Sequence, residues 1–170
     1  MALIVEDGSI VANADSYTSR ADIITYAAAR GVTLLDDVTT DQKAIKAMDY
    51  LALYDTQWKG SQVDAATQSL AWPRKYVYIT DDLFSETAIP VQLIRAQKEL
   101  VMQIAAGVSL LPTLSGDTAF ITKEKVDVIE TEYSEAVALE LLGSLPNMPL
   151  IDALLAPLFA SVQRLRTVRI

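Results

Sequence analysis

Apolar residues recur at helical spacing in three stretches of the chain and alternate with polar ones in several others. Ile23, Tyr26 and Ala27 share one face of a predicted helix. It begins at Ser19, with Asp22 three residues on as a capping partner, and stops at Arg30-Gly31. After a connector over Val32–Val38, Thr39 with Gln42 forms a capping box and opens a second helix. Its predicted apolar face holds Ala44, Ile45, Met48, Leu51, Ala52 and Tyr54, and the pattern breaks near Trp58-Lys59-Gly60. A rod of about 18 residues would reach ~27 Å. Ile89-Pro90 opens a third helix, with proline near the first turn where its missing N–H is harmless. Leu93, Ile94, Ala96, Leu100, Val101, Ile104 and Ala105 form its apolar face, and Gln92, Arg95, Lys98, Glu99 and Gln103 its polar side. Gly107 and Pro112 end it. This is the most apolar helix and the expected centre of the core.

The remaining stretches read as extended or mixed. Leu3–Val11 gives two short extended pieces around Asp7-Gly8, an arm expected to pack on a neighbouring subunit. Residues 115–133 read as a hairpin turning near Lys123–Lys125, with Val126 and Val128 on a half-buried face. Val137–Gly143 reads as a short helix. Leu150–Phe159 reads as a short apolar helix interrupted at Pro157, too apolar to stand without a partner. In Ser161–Ile170, Val162, Val168 and Ile170 interleave with Arg164, Arg166 and Arg169. This tail is either a last solvated strand of the domain or a segment that augments a partner's sheet or enters an acidic groove. The predicted fold is therefore mainly α: a small helical bundle with a β-hairpin and extended terminal arms. It is read as one domain over 1–170, with a helical core at about 16–110, the hairpin at about 115–135, and a C-terminal helix and tail at about 149–170.

Between the second and third helices lies an irregular stretch, Gly60–Glu86, containing Gln68-Ser69-Leu70-Ala71-Trp72-Pro73-Arg74. Trp72 is a large aromatic suited to burial. Pro73 biases the residue before it toward an extended backbone. Arg74 offers a planar fork to a carboxylate or a carbonyl. A rigid structural corner is the first reading of this heptapeptide and a binding surface the second. Trp58, Trp72, Pro73 and Arg74 are the expected structural anchors, Trp58 closing the core with partner contact as its lesser role. The run Tyr76-Val77-Tyr78-Ile79 is strand-like. Tyr76 and Tyr78 either stack on bases or divide into one buried ring and one at the rim. A loop this long in a compact chain usually serves a function.

Composition narrows the chemistry. The 170 residues include no cysteine and no histidine, which excludes thiol nucleophiles, disulfides, Cys/His zinc sites and every Ser-His or Cys-His arrangement. Carboxylate sites for Mg²⁺ or Ca²⁺ remain open, and the acidic pairs Asp36-Asp37 and Asp81-Asp82 are the candidates. Neither has the spacing of a calcium loop, and both read as solvated turns. No enzyme activity and no cofactor is expected. No apolar run approaches a membrane span, and the first residues lack the basic head and apolar body of a signal peptide, so synthesis in the cytoplasm is expected. The 14 basic residues face 22 acidic ones, a net charge of −8. Gripping nucleic acid requires clustered Lys and Arg, and the one cluster is Arg164, Arg166 and Arg169. Such acidity suits a surface that DNA slides past, or serves solubility alone.

A series of short motifs carries a resemblance across most of the chain. In order they are Asp15-Ser16-Tyr17, Ala27-Ala28-Ala29-Arg30-Gly31, Asp49-Tyr50-Leu51 through Trp58-Lys59-Gly60, Leu70-Ala71-Trp72-Pro73-Arg74, Ile89-Pro90, Lys123-Glu124-Lys125-Val126 and Ile151–Leu158. The chain resembles a group of tailed-phage proteins labelled DnaT-like single-stranded-DNA-binding, whose architecture is similar to head–tail connector (adaptor) proteins. The resemblance implies a ring homo-oligomer, a dodecamer, made in the host cytoplasm and placed in the virion neck. It would join the portal protein to a tail or tail-completion protein and extend the channel through which DNA passes without specific binding. Tyr76, Tyr78, Arg164, Arg166 and Arg169 are then the candidate partner contacts. The alternative is a single-stranded-DNA-binding protein, for which Trp58, Trp72, Arg74, Lys75, Tyr76 and Tyr78 are the plausible set.

Overall fold

The computed structural model describes residues 3–111, 123–126, 129–132 and 146–160. The chain divides into two compact units, Met1–Gly107 with Met148–Ile170, and Val108–Asn147. The fold is mainly helical with small antiparallel strand pairs, as the periodicity predicts.

In the first unit, α1 (Arg20–Ala28) starts at Ser19, whose hydroxyl accepts the Asp22 N–H and donates to its carboxylate. The second helix, α2 (Val38–Ala52), starts earlier than its sequence box suggests. Asp37 is the cap and accepts the Thr39 N–H at 2.8 Å, while the Thr39 hydroxyl is spent on the same carboxylate. A charged acceptor two residues upstream outcompetes the Thr39–Gln42 box. The third helix, α3 (Val91–Ala105), begins after Pro90. The fourth, α4 (Pro149–Leu155), tightens into a 3₁₀ turn over Ala156–Leu158, where Pro157 sits.

Helix α3 is the hub, packing against α1, α2 and α4. Leu93, Ala96, Leu100 and Val101 are wholly buried there, and each buried leucine is worth ~1.5–3 kcal/mol. Two expectations fail on these helices. Glu99, placed on the polar side from sequence, is buried: it accepts the Tyr26 hydroxyl at 2.6 Å and pairs with Arg30 at 3.4 Å, which makes burial of its charge tolerable. The buried face of α2 is also rotated from the predicted one. Ala44, Ala47, Tyr50 and Leu51 are buried, whereas Ile45 is 37% exposed and Ala52 lies at the surface. Small residues at 44 and 47 let α2 approach its neighbours closely, and that contact outweighs the larger side chain at 45.

The N-terminal segment folds onto its own unit. Val5 bridges Ser16 in parallel, and the buried Glu6 carboxylate accepts the N–H groups of Gly8, Ile10 and Val11 at 2.8–3.1 Å. Gln97 of α3, also fully buried, accepts the Tyr17 N–H and donates to Ser16. Among the described residues the arm is thus consumed internally, because its polar backbone finds side-chain partners within the same unit. The Asp7-Gly8 turn is real: Gly8 has φ +105°, and a Cβ there would lie 2.2 Å from Thr87 O.

Four short strands lie between α2 and α3. Strands β1 (Ser61–Gln62) and β2 (Arg74–Lys75) pair antiparallel, as do β3 (Tyr78–Ile79) and β4 (Asp82–Leu83). The second unit contains the antiparallel pair β5 (Lys123–Val126) and β6 (Ile129–Glu132). Its register sets Val126 opposite Ile129, so the reversal comes after Val126 and not at Lys123–Lys125. In the same register Lys123 is paired with Glu132 and Lys125 with Glu130. The predicted helix at Val137–Gly143 and the tail Ser161–Ile170 lie outside the described residues.

Candidate functional site

The irregular stretch after α2 is a rigid corner that presents a small exposed hairpin. The chain enters at Gly60, where φ is +66° and an added Cβ would meet Lys75 O at 2.2 Å. Only glycine allows that approach, which lets β1 lie against β2. Between the two strands, Asp64 accepts the Ala66 N–H and the Thr67 hydroxyl, closing one turn. Gln68 donates to Leu70 O and Pro73 O, and Gln62 also donates to Leu70 O. The Trp72-Pro73 peptide is cis.

The four anchors are buried as the structural reading requires. Trp72 has no exposed surface and stands edge-to-face with Trp58 and Phe84, at 6.3 and 6.1 Å between centroids. Its backbone N–H donates to the Tyr17 hydroxyl at 3.1 Å, while its indole N–H has no partner among the described residues. Trp58 stacks on Phe159 at 4.9 Å, and Pro73 is buried beside Trp72. Arg74 turns its guanidinium inward and donates to three carbonyls: Lys59 at 2.7 Å, Gly60 at 2.9 Å and Ala71 at 3.2 Å. Burial lowers its pKa, with Asp55 and Tyr17 opposing that shift. Burial likewise pushes the Tyr17 hydroxyl up. Trp58, Trp72 and Arg74 are therefore unable to touch a base or a phosphate, which removes half of the stacking and clamping set expected from sequence.

What remains outside is the hairpin. Val77 is fully buried and anchors it. Tyr76 on one side of that anchor is 68% exposed and Tyr78 on the other 56%, so neither ring is buried and the expected division between them does not occur. Leu83, opposite Tyr78 in the register, is 61% exposed. The two-residue loop Thr80-Asp81 has both φ angles positive (+52° and +69°), the backbone of a primed hairpin turn. Tyr76 has φ +60°, unusual for a bulky residue, and such strain clusters at ligand-contacting positions. Lys59 lies against the hairpin, and Lys75 directly precedes Tyr76. Lys59 Nζ donates to Tyr78 O at 3.1 Å and to Pro157 O, and Lys75 Nζ reaches Val63 O at 3.4 Å. Among the described residues neither pairs with a carboxylate.

The acidic pairs behave as turn residues in part. Asp81 and Asp82 are exposed at the hairpin tip. Asp36 pairs with Arg20 at 3.2 Å, and Asp37 caps α2. Among the described residues, no group of three or more acids is placed to hold a metal, and no helix is long and apolar enough to cross a membrane. Arg164, Arg166 and Arg169 lie outside the described residues. Sequence reasoning missed Lys59 and Leu83 as members of this surface. The signal for Leu83 was present, since Asp81 separates two strand-like runs at hairpin distance. Nothing local marked Lys59, which arrives from the end of α2.

A family model described as "Putative DnaT-like ssDNA binding protein" matches residues 1–170, and the chain belongs to that family. No curated protein and no solved structure matches it.

Proposed function

We propose that this chain is a non-enzymatic binding protein that contacts single-stranded DNA through the β3–β4 hairpin. The observation that carries this reading is the outward placement of Tyr76 and Tyr78 near two lysines, Lys59, which bonds Tyr78 O, and Lys75, which directly precedes Tyr76, in a chain whose family is described by single-stranded-DNA binding. Every base has a π-face, so two tyrosines can stack on a strand without reading its sequence, at ~1–3 kcal/mol per base. Two lysines displace few counterions. The dependence of log K on log salt then has a slope near −1.4, about −0.7 per phosphate contacted on a single strand. Fluorescence anisotropy with a labelled oligothymidylate tests this. Tyr76→Ala and Tyr78→Ala should each weaken binding by ~1–3 kcal/mol while leaving the unfolding midpoint in place. Absence of binding at low ionic strength would sink the proposal.

A second reading is a head–tail connector subunit: a ring homo-oligomer, implied by the resemblance to be a dodecamer, in the virion neck, binding portal and tail proteins and lining the DNA channel. The net charge of −8 favours it, because a like-charged lumen lets DNA pass with little adhesion. So does the β5–β6 pair, whose strands have no third partner among the described residues. A two-stranded hairpin is marginal alone and is completed readily by a neighbour. Mass spectrometry of purified virions decides: about one copy per portal subunit supports the connector, and absence from particles refutes it.

A further inference from the structure

The first unit holds a cleft of about 210 Å³ along the face of α2 that the sequence pattern assigns to the core. Ile45, Met48, Ala52 and Leu70 give it an apolar wall, and Trp58 and Leu93 close its depth. Asp15, Asp49 and Asp55 also line it, and among the described residues no lysine or arginine does. Among the described residues none of these three carboxylates is in an ion pair. The apolar residues Ile45, Met48 and Ala52, which sequence periodicity assigns to the core of α2, thus line a groove with acidic residues along it.

The chain passes the mouth of this groove as it leaves the described fold. Phe159 packs on Tyr54 and Trp58, and the Ala160 N–H donates to Gln57 O at 2.8 Å. Asp55 and Trp58, on either side of Gln57, are groove residues. The next residues are Ser161–Ile170, in which Val162, Leu165, Val168 and Ile170 interleave with Arg164, Arg166 and Arg169. Ten residues can extend ~33 Å, while the wall from Ile45 to Asp55 is a helical rise of only ~15 Å.

We propose that this groove is the docking site of the chain's own tail, Ser161–Ile170, with apolar tail residues against Ile45, Met48 and Ala52 and its arginines on Asp15, Asp49 and Asp55. Charge complementarity and the exit point at Ala160 select this occupant. Tethering beside the groove gives the tail a high effective concentration there, which favours its own groove over that of a second copy. Docked in this way the arginines are withheld from other anions, so a polyanion and the groove compete for one segment.

The chain has no cysteine, so a single Val168→Cys carries a nitroxide at one site. In the ¹⁵N-labelled full chain, the label should erase amide signals over Ile45–Asp55 at low ionic strength. The signals should return at high salt and in the Asp49→Asn/Asp55→Asn double variant. No broadening at low ionic strength overturns the proposal. Broadening that survives the double variant refutes the role of the rim. Spin-labelled ¹⁴N chain mixed with unlabelled ¹⁵N chain separates the occupants: no broadening in that mixture is expected, and broadening there over Ile45–Asp55 means that a second copy fills the groove and overturns the assignment to the chain's own tail.

Discussion

Replacing Arg74 with methionine keeps an aliphatic stem of similar reach and deletes the three guanidinium hydrogen bonds that clamp the corner. Two of the three bonds lost are short and well formed, to Lys59 O at 2.7 Å and Gly60 O at 2.9 Å; the third, to Ala71 O, is long at 3.2 Å. A hydrogen bond to a charged group contributes ~1.5–3 kcal/mol, and carbonyls left unpaired in a buried site add to the loss. Against this stands the cost of holding a guanidinium 9% exposed with no carboxylate on it among the described residues. The balance predicts a loss of ~2–4 kcal/mol for Arg74→Met. With a urea m-value of ~2 kcal/mol/M for a chain of this size, the midpoint falls by ~1–2 M. Arg74→Lys should recover less than half of that, because one ammonium does not reproduce a fork spread over three separate carbonyls. A midpoint for Arg74→Met equal to that of the parent would refute the clamp. Unchanged stability with lost oligonucleotide binding would show instead that Arg74 turns outward to meet the ligand.

Two further outcomes follow from the same corner and from the turns. Trp72→Ala should cost ~3–5 kcal/mol as a cavity in a wholly buried site. Trp72→Phe should cost less, because it also removes the unpartnered indole N–H, and near-neutral denaturation of the alanine variant would contradict the burial. Hydrogen bonds from Ser9, Thr39 and Thr67 hold Asp7, Asp37 and Asp64 below the ordinary aspartate value of 3.8. A depressed folded pKa gives stability that is fully present above the unfolded value and lost as pH falls through the folded one. Urea midpoints should therefore begin to fall as pH drops below about 4, and Asp37→Asn should flatten part of that fall; a midpoint independent of pH in that window would count against these bonds.

Much of this fold was legible because its signals are local. Ser19 with Asp22 caps α1, Pro90 precedes α3, and Pro157 tightens the end of α4, each as its residue type dictates. The burial of Trp72 and the inward turn of Arg74 follow the residue types, a large apolar ring and a planar fork, although their partners Tyr17, Trp58, Lys59 and Gly60 were not legible. What failed depends on neighbours distant in sequence. Glu99 looked like surface until Tyr26 and Arg30 arrived from α1. The arm looked unpartnered until Gln97, 81 residues from Ser16, held it. Ile45 looked like core because hydrophobicity alone does not say which side of a helix a small-residue contact will choose. The candidate surface was half legible for the same reason. Aromatic type marked all four rings, and only packing separates the buried Trp58 and Trp72 from the exposed Tyr76 and Tyr78.

The acidity of the chain and contact with single-stranded DNA are compatible only if charge acts locally. At physiological ionic strength screening extends over ~8 Å, so the carboxylates that matter are those on the hairpin itself. Asp81 and Asp82 sit at its tip, exposed, while Lys59 bonds Tyr78 O and Lys75 directly precedes Tyr76. A strand crossing Tyr76 and Tyr78 would meet both signs, and the two acids would oppose it. Exposed ionic contacts are worth ~0.2–1 kcal/mol each, so Asp81→Asn/Asp82→Asn should tighten oligothymidylate binding by about 1 kcal/mol, roughly fivefold. The gain should vanish at high salt, and it should vanish in the Tyr76→Ala/Tyr78→Ala background, where the strand no longer lies over the tip. Binding that is unaffected by the double asparagine variant would place the DNA elsewhere on the molecule. The acidity would then be best accounted for by a channel wall that repels DNA, and the connector reading would take precedence.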